Sequence, residues 1–454
     1  MNIAVILAGG IGSRLEKALP KQFFKIAGKM VLEHAVDAFE KNSLIDEIAV
    51  VVNEHYIFMI EDMILKNEWT KVKRILVGGQ ERYHSSYAAV KAYAADEDAN
   101  LIFHDAARPL VSQRIINDVV KALDKYNAVD VAIPSADTII AVEGKIIKEI
   151  PDRIKMRRGQ TPQGFKQKVI ASAYNLAFAD KDFKATDDCG IVKKYLPTEQ
   201  IVVVEGDEVN MKLTYLEDTY ILDKLFQLRS SEIHNVPLNK ELLDSKVMVV
   251  FGGGSGIGKS IVDLGIAKGV KVYSFSRSQN NVDISNFDAV KKALQEVVAS
   301  EGKIDFVVNT AGILHKEPLA TMAHQAICDS VNTNYLGMIN IALASLDYLK
   351  KSKGNLLFFT SSSYTRGRAF FSIYSSAKAA TVNFVQAISQ EWEPFDVKVN
   401  CINPERTKTP MRTKNFGNEP ESTLLNPDVV AMRSIQTLLS GYTGQVIDVR
   451  LESE

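Results

Sequence analysis

Cysteine is scarce: Cys189, Cys328 and Cys401 are the only three in 454 residues. Their scatter shows no metal-ligand spacing, and they read as reduced thiols of a cytosolic protein. An excess of either charge is also missing. Lys and Arg number 54 against 55 Asp and Glu, a formal charge of −1. That balance gives no support to nucleic acid or an anionic membrane as a main partner, so cationic clusters must serve small anions. No apolar run reaches the length of a membrane span. Met1-Asn2-Ile3-Ala4 runs straight into a strand-like segment, with no cationic leader and cleavage site visible. These exclusions leave a soluble cytoplasmic enzyme as the expectation. At 454 residues the chain exceeds one ordinary core, and two domains of about 220 residues fit the size prior.

What is present is a repeated alternation. Short Val/Ile/Ala-rich runs such as Ile3–Leu7, Glu47–Val52, Leu101–His104 and Val129–Ile133 are separated by amphipathic stretches of helical length. The pattern continues in Lys246–Phe251, Lys271–Phe275, Phe306–Asn309, Asn355–Thr360 and Lys398–Ile402. Continuous apolar runs suit strands buried on both faces, so both halves are expected to be α/β, two Rossmann-like α/β/α layers. Thr138 to Arg158 departs from this. Its alternating residues around Glu143-Gly144 suggest a β-hairpin arm with no core of its own to enter, free to reach a partner subunit. Polar residues and Pro237 interrupt a helical pattern after Leu228, so the expected domains are 1–228 and 245–454, with 229–244 as linker.

Two glycine-rich loops follow strands about 240 residues apart. Ala8-Gly9-Gly10-Ile11-Gly12-Ser13-Arg14 is followed by Pro20-Lys21-Gln22, whereas Gly252-Gly253-Gly254-Ser255-Gly256-Ile257-Gly258 carries no cation. Backbone N–H groups at such turns receive anions. Arg14 and Lys21 suit a triphosphate under in-line attack, where fixed cations stabilise the developing charge. The second loop suits a dinucleotide pyrophosphate.

Gly78-Gly79-Gln80-Glu81-Arg82-x-x-Ser85 and His104-Asp105-Ala106-Ala107-Arg108-Pro109 extend the first motif. Together, over about 225 residues, they resemble the family of 2-C-methyl-D-erythritol 4-phosphate and ribitol 5-phosphate cytidylyltransferases, a nucleotidyltransferase fold with a β-arm. The resemblance implies CTP as co-substrate, with Gly79, Gln80 and Ser85 on the cytosine. It places Asp105 and Ala106 near the ribose, with Asp105 also a candidate ligand for Mg²⁺ or another divalent cation. Arg108 is as readily structural as functional. Arg153, Thr161 and Thr186 would hold the acceptor phosphate, and Lys212 the α-phosphate. In this family the arm arginine can come from the other subunit. A solvated arm is the favoured reading of Arg157 and Arg158. A phosphate oxyanion is already a nucleophile, so positioning and charge neutralisation would suffice.

In the second half, Tyr374 and Lys378 are four residues apart and share a helical face. A lysine there is expected to lower the phenol's pKa and make Tyr374 a proton donor. Ser361 lies thirteen residues upstream, and Asn309-Thr310-Ala311-Gly312 precedes both. With Phe251-Gly252-x-x-x-Gly256-x-Gly258, these residues resemble the short-chain dehydrogenase/reductase family across 245–454. By that resemblance Asn334, Ser361, Tyr374 and Lys378 form the catalytic tetrad, with Asn332 and Ser362 as alternatives. Cofactor contacts would fall on Gly252, Ser255, Gly256, Ile257, Gly258, Asn309, Ala311, Gly312, Pro404 and Thr409, with Lys378 on the nicotinamide ribose. Asp283 and Ile284 match the adenine position. Ser276, Arg277 and neighbouring hydroxyls stand where an acidic residue would select NADH, so NADPH is expected. Glu405, Arg406 and Lys408 bring unusual charge beside the nicotinamide, and Arg366 and Arg368 follow the serine. A phosphorylated substrate explains such cations, and solvated loop charge is the alternative.

The same fusion in this order resembles bifunctional capsule-polysaccharide enzymes that reduce D-ribulose 5-phosphate and couple the product to CTP as CDP-ribitol. Another pentulose or polyol phosphate remains open, as does a methylerythritol phosphate cytidylyltransferase joined to an unrelated reductase. Helices bracketing Tyr374 and the hairpin arm both suggest a homodimer.

Overall fold

A computed structural model describes residues 1–10, 19–229 and 236–451. The chain divides into two compact units, 1–225 and 226–454.

The main strands of the first unit are β1 (Asn2–Ala8), β2 (Glu47–Val52), β3 (Val72–Val77), β4 (Asn100–Asp105) and β5 (Ala128–Pro134). After them come β6 (Ala141–Glu143), β7 (Ile146–Glu149), β8 (Arg157–Lys166) and β9 (Ile201–Glu205). Seven of these form one sheet in the order β9-β5-β8-β4-β1-β2-β3. Strand β8 is antiparallel to both neighbours and the other pairs are parallel. Ile3 through Ile6 have no exposed surface, because helices cover both faces of β1. The chain winds outward from β1 through β2 to β3, then returns to pair β4 on the other side of β1. Such a reversal opens a crevice beyond the carboxyl ends of the strands, where Gly9 and Asp105 lie.

The hairpin arm is shorter than expected. Only β6 and β7 pair in it, around Gly144 at φ 59°. Arg157 and Arg158 instead begin β8 and pair with Pro134 and Ile133 of the main sheet. A long inner strand offers more ladder hydrogen bonds than a two-stranded ribbon, so the sheet captures them. On the arm, Ile139, Ile140, Val142, Ile146, Ile147 and Ile150 are all exposed.

In the second unit β10 (Val247–Phe251), β11 (Lys271–Phe275), β12 (Phe306–Asn309), β13 (Asn355–Phe359), β14 (Lys398–Pro404) and β15 (Val446–Val449) form one parallel sheet. Its order is β11-β10-β12-β13-β14-β15, with the reversal between β10 and β12. The helix Asp218–Arg229 runs through the expected boundary at 228, and its last turn belongs to this unit. Among the described residues no helix is long and apolar enough to cross a membrane.

Candidate active sites

In the first unit Ser85, at the start of the helix Arg82–Ala92, ties the glycine loop to the neighbouring turn. A Cβ added to Gly9 or to Gly78 would lie 2.7 Å from the Ser85 hydroxyl oxygen. Glycine at both positions lets two loops close over one buried serine. Gln22 does similar work from the other side, donating to the carbonyls of Ala8 at 2.7 Å and Gly10 at 3.0 Å. Gly79 and Gln80 are exposed next to these loops, and Lys21 opens the short helical turn that carries Gln22. Gly12 and Arg14 lie outside the described residues.

Asp105 is the electrostatic centre. Its carboxylate meets Lys212 Nζ at 2.8 Å, Arg82 Nε at 3.2 Å and Arg108 Nε at 3.8 Å. Burial alone would raise this carboxyl's pKa. Arg82, Lys212 and Arg108 outweigh burial and hold it well below the usual carboxylate range. Arg82 also reaches the fully buried Asp188 at 2.6 Å, which accepts from Tyr174 as well. Burial opposes the Arg82 charge, but the two carboxylates prevail and raise its pKa. Arg82 stands inside the Gly78–Ser85 motif, but spacing alone assigns it no role. Its second carboxylate is 106 residues away and invisible to spacing.

Beneath Asp105 runs a relay of hydrogen bonds. The Asp105 N–H donates to Thr161 Oγ1 at 3.1 Å, and that hydroxyl meets His104 Nδ1 at 3.0 Å. His104 Nε2 lies 3.0 Å from the Arg108 carbonyl. A carbonyl only accepts, so Nε2 carries the proton, Nδ1 accepts, and Thr161 donates. Burial lowers the His104 pKa to about 4 and keeps the ring neutral. Thr161, expected at the acceptor phosphate, is 5% exposed, and its hydroxyl is engaged in this relay. Ala106 also spends its N–H internally, on the Leu7 carbonyl. Arg108 donates to the carbonyls of Asn210 and Gly159, the structural half of its expectation. Thr186 is exposed one residue before Asp187, which caps the helix Asp188–Tyr195. Arg153 is exposed at the base of the arm, where it donates to the Ala136 carbonyl.

In the second unit a cavity of about 1060 Å³ opens above the sheet reversal. Its floor is the glycine loop. Gly252 has φ 87°, and a Cβ there would lie 2.5 Å from the Ala311 nitrogen. At Gly258 a Cβ would come within 2.3 Å of the Gly252 carbonyl oxygen. Only glycine permits this approach of strand, helix and turn. The cavity lining also takes in Ser255, Gly256, Ile257, Gly312, Pro404 and Thr409. At its adenosine end stand Ser276, Arg277, Asp283 and Ile284. Asn309 lies behind the lining, where its side chain accepts from the Ala311 N–H.

Ser361, Tyr374 and Lys378 line the opposite wall. Tyr374 hydrogen-bonds Ser361, whereas the Ser362 hydroxyl accepts from Arg368 at 3.2 Å. Asn334 is buried in a π-turn and brackets Ile313, donating to its carbonyl and accepting from its N–H; Asn332 is exposed. Ser361, not Ser362, is the partner of the tyrosine, and the Asn334 side chain is spent on the Ile313 backbone. The expected lowering of the Tyr374 pKa by Lys378 is not found. Burial pushes the phenol up to about 12, and only the Ser361 hydrogen bond opposes it. Lys378 Nζ donates to the Phe359 carbonyl at 2.8 Å, and burial lowers its own pKa to about 8. Sharing a helical face therefore does not aim the ammonium at the phenol oxygen.

The charges near the nicotinamide end sort themselves. Arg368 and Arg406 line the cavity, and neither forms an ion pair among the described residues. Arg366 is exposed and outside the lining, as is Lys408, which pairs with Glu421. Glu405 accepts from the Leu451 N–H. Arg412, which spacing did not single out, is held by Glu419 at 2.7 and 2.8 Å and lies over Phe416. Arg450 completes the wall from the end of β15.

Fold and sites define two enzymes in one chain, a nucleotidyltransferase followed by a nicotinamide-dependent dehydrogenase. The model of the 2-C-methyl-D-erythritol 4-phosphate cytidylyltransferase family matches residues 2–227, and that of the short chain dehydrogenases matches 246–420. The chain is 49% identical, over all of its own length and 96% of the relative's, to the bifunctional ribulose 5-phosphate reductase/CDP-ribitol pyrophosphorylase of Haemophilus influenzae. It belongs to that family. Its first half is also 43% identical to the 2-C-methyl-D-erythritol 4-phosphate cytidylyltransferase of Thermobifida fusca, covering 49% of this chain and 92% of the relative. The ribitol-5-phosphate cytidylyltransferase of Lactiplantibacillus plantarum is 33% identical over 51% of this chain and its own full length.

Proposed function

We propose that the chain reduces D-ribulose 5-phosphate with NADPH to D-ribitol 5-phosphate, then couples that product to CTP, releasing pyrophosphate and CDP-ribitol for a cell-surface polysaccharide such as capsule. The carrying observation is the pair Arg368 and Arg406, which line the same cavity as Ser361 and Tyr374 and form no ion pair among the described residues. A phosphorylated carbonyl substrate matches that wall.

The glycine loop, Ser276, Arg277 and Lys378 would hold NADPH, which supplies the hydride. Ser361 donates a hydrogen bond to the substrate carbonyl while Tyr374 delivers the proton. In the other unit Lys212, with Lys21 and Arg14, neutralises the triphosphate as the acceptor phosphate oxygen attacks the α-phosphorus and the bond to the β-phosphate breaks. Lys212 is 40% exposed, so it can exchange Asp105 for a phosphate. Among the described residues no group of three or more His, Cys, Asp or Glu could hold a metal. One carboxylate and phosphate oxygens suffice for Mg²⁺, and Asp105 would be that carboxylate.

The boundaries that go with this reading are a transferase domain 1–228, a linker 229–244 and a reductase domain 245–454. The reduction draws on NADPH and the transfer on CTP, which puts their proposed setting in the cytoplasm, without nucleic acid or membrane as partner. A homodimer is part of the proposal, since the exposed isoleucines of the arm call for a cover.

A coupled assay tests the whole. Ribulose 5-phosphate, NADPH and CTP together should yield CDP-ribitol, while ribulose 5-phosphate and CTP without NADPH should yield none. Faster cytidylyl transfer to methylerythritol phosphate than to ribitol 5-phosphate would overturn the reading. Cofactor choice has its own check. Arg277→Ser should raise KM for NADPH about 10–100-fold, the worth of charge-assisted hydrogen bonds to a phosphate. KM for NADH should stay unchanged, and equal effects on both cofactors would remove the assignment of Arg277 to a 2′-phosphate.

A further inference from the structure

The last turn of the helix Asp218–Arg229 places one side chain, Gln227, inside the second compact unit. Gln227 is 7% exposed. Its carbonyl oxygen accepts from the Tyr364 hydroxyl at 2.7 Å, and its amide donates to Asp448 Oδ1 at 2.8 Å. Each partner leads to the reductase cavity. Tyr364 ends the short turn Ser362–Tyr364, which Ser361 caps. Within that turn the Tyr364 N–H bonds the Ser361 carbonyl at 2.8 Å, so moving Tyr364 moves Ser361. Asp448 Oδ2 holds Arg450 Nη2 at 2.8 Å, and Asp448 Oδ1 also accepts from Asn403, one residue before Pro404 of the cavity wall.

We infer that Gln227 is a positioning residue of the reductase, bridging the serine turn on one side to the Asp448–Arg450 pair on the other. This rests on reading the second unit as a reductase. The bridge needs an acceptor facing the phenol and a donor facing the carboxylate, a combination that a side-chain amide provides and a carboxylate or hydrocarbon does not. The residue lies in the stretch matched by the transferase family, nineteen positions before the dehydrogenase match begins at 246.

The test uses the full chain carrying Gln227→Leu, Tyr364→Phe, or both. Gln227→Leu should lower kcat for ribulose 5-phosphate reduction about tenfold, the scale of losing a buried hydrogen-bond bridge. The dissociation constant for NADPH and the rate of CDP-ribitol formation from supplied ribitol 5-phosphate should stay within about twofold, showing both units intact. If the bridge acts as one unit, the double variant should be no slower than Gln227→Leu alone. Unchanged reduction in Gln227→Leu, a matching loss of NADPH affinity, or losses that multiply in the double variant would each overturn the inference. Absence of reduction by the unsubstituted protein would instead overturn the reductase reading.

Discussion

Tyr374→Phe should lower NADPH oxidation with ribulose 5-phosphate by about 10²–10⁴-fold, the usual contribution of a positioned general acid, and leave cytidylyl transfer to ribitol 5-phosphate untouched. The phenol, raised to about 12 by burial, is fully protonated at neutral pH. It is a weak acid in that state, but an alkoxide is a stronger base than a phenolate, so proton transfer runs downhill once charge develops on the carbonyl oxygen. Lys378 Nζ, 5.5 Å from the centre of the Tyr374 ring, then faces a phenolate rather than a phenol. Its attraction grows along the reaction, which is the condition for catalysis rather than mere binding. Phenylalanine keeps the ring and its packing but removes the proton and the partner of Ser361. Stopped-flow absorbance of NADPH reads the loss directly. Undiminished oxidation would sink the assignment of Tyr374.

Arg82→Met should destabilise the first unit by about 3–5 kcal/mol, the cost of breaking a buried ion pair by removing one partner. Asp188 is 0% exposed and, among the described residues, would keep the hydroxyls of Tyr174 and Ser86 as its side-chain partners. A carboxylate so placed must protonate or draw in water. Asp105 would lose one of its three cations, so Lys212 and Arg108 would shift toward it. Cytidylyl transfer should fall with stability, while ribulose 5-phosphate reduction persists. Chemical denaturation followed in both activities measures the difference. A first unit as stable as before would show that Arg82 is not the keystone of the cluster.

Much of both sites was legible because their residues belong to short local motifs. Gly252 to Gly258, Tyr374 with Lys378, and Asp105 with Arg108 each sit within a single turn or strand end, where spacing dictates placement. Side-chain direction was less legible. Lys378 lies on the expected face but bonds the Phe359 carbonyl, a partner nineteen residues away. Thr161, expected at the acceptor phosphate, and Ala106, expected near the ribose, turn their polar groups to the relay and the sheet. Arg157 joined the main sheet rather than the arm because ladder pairing outweighed local alternation.

The amino-acid sequence by itself determined the two α/β units, the nucleotide loops and the tyrosine–lysine pair, since apolar period, glycine spacing and helical geometry are local properties. Only the tertiary structure decided which charges are spent and which stand free. Arg82 is clamped between carboxylates 83 residues apart, and Arg412 is neutralised by Glu419, while Arg368 and Arg406 line the cavity with no ion pair among the described residues. Electrostatic pairing depends on distance through space, and strand order sets that distance. Gln227 is the clearest case: one glutamine in a helix carries no signal until Tyr364 and Asp448, 137 and 221 residues onward, close around it.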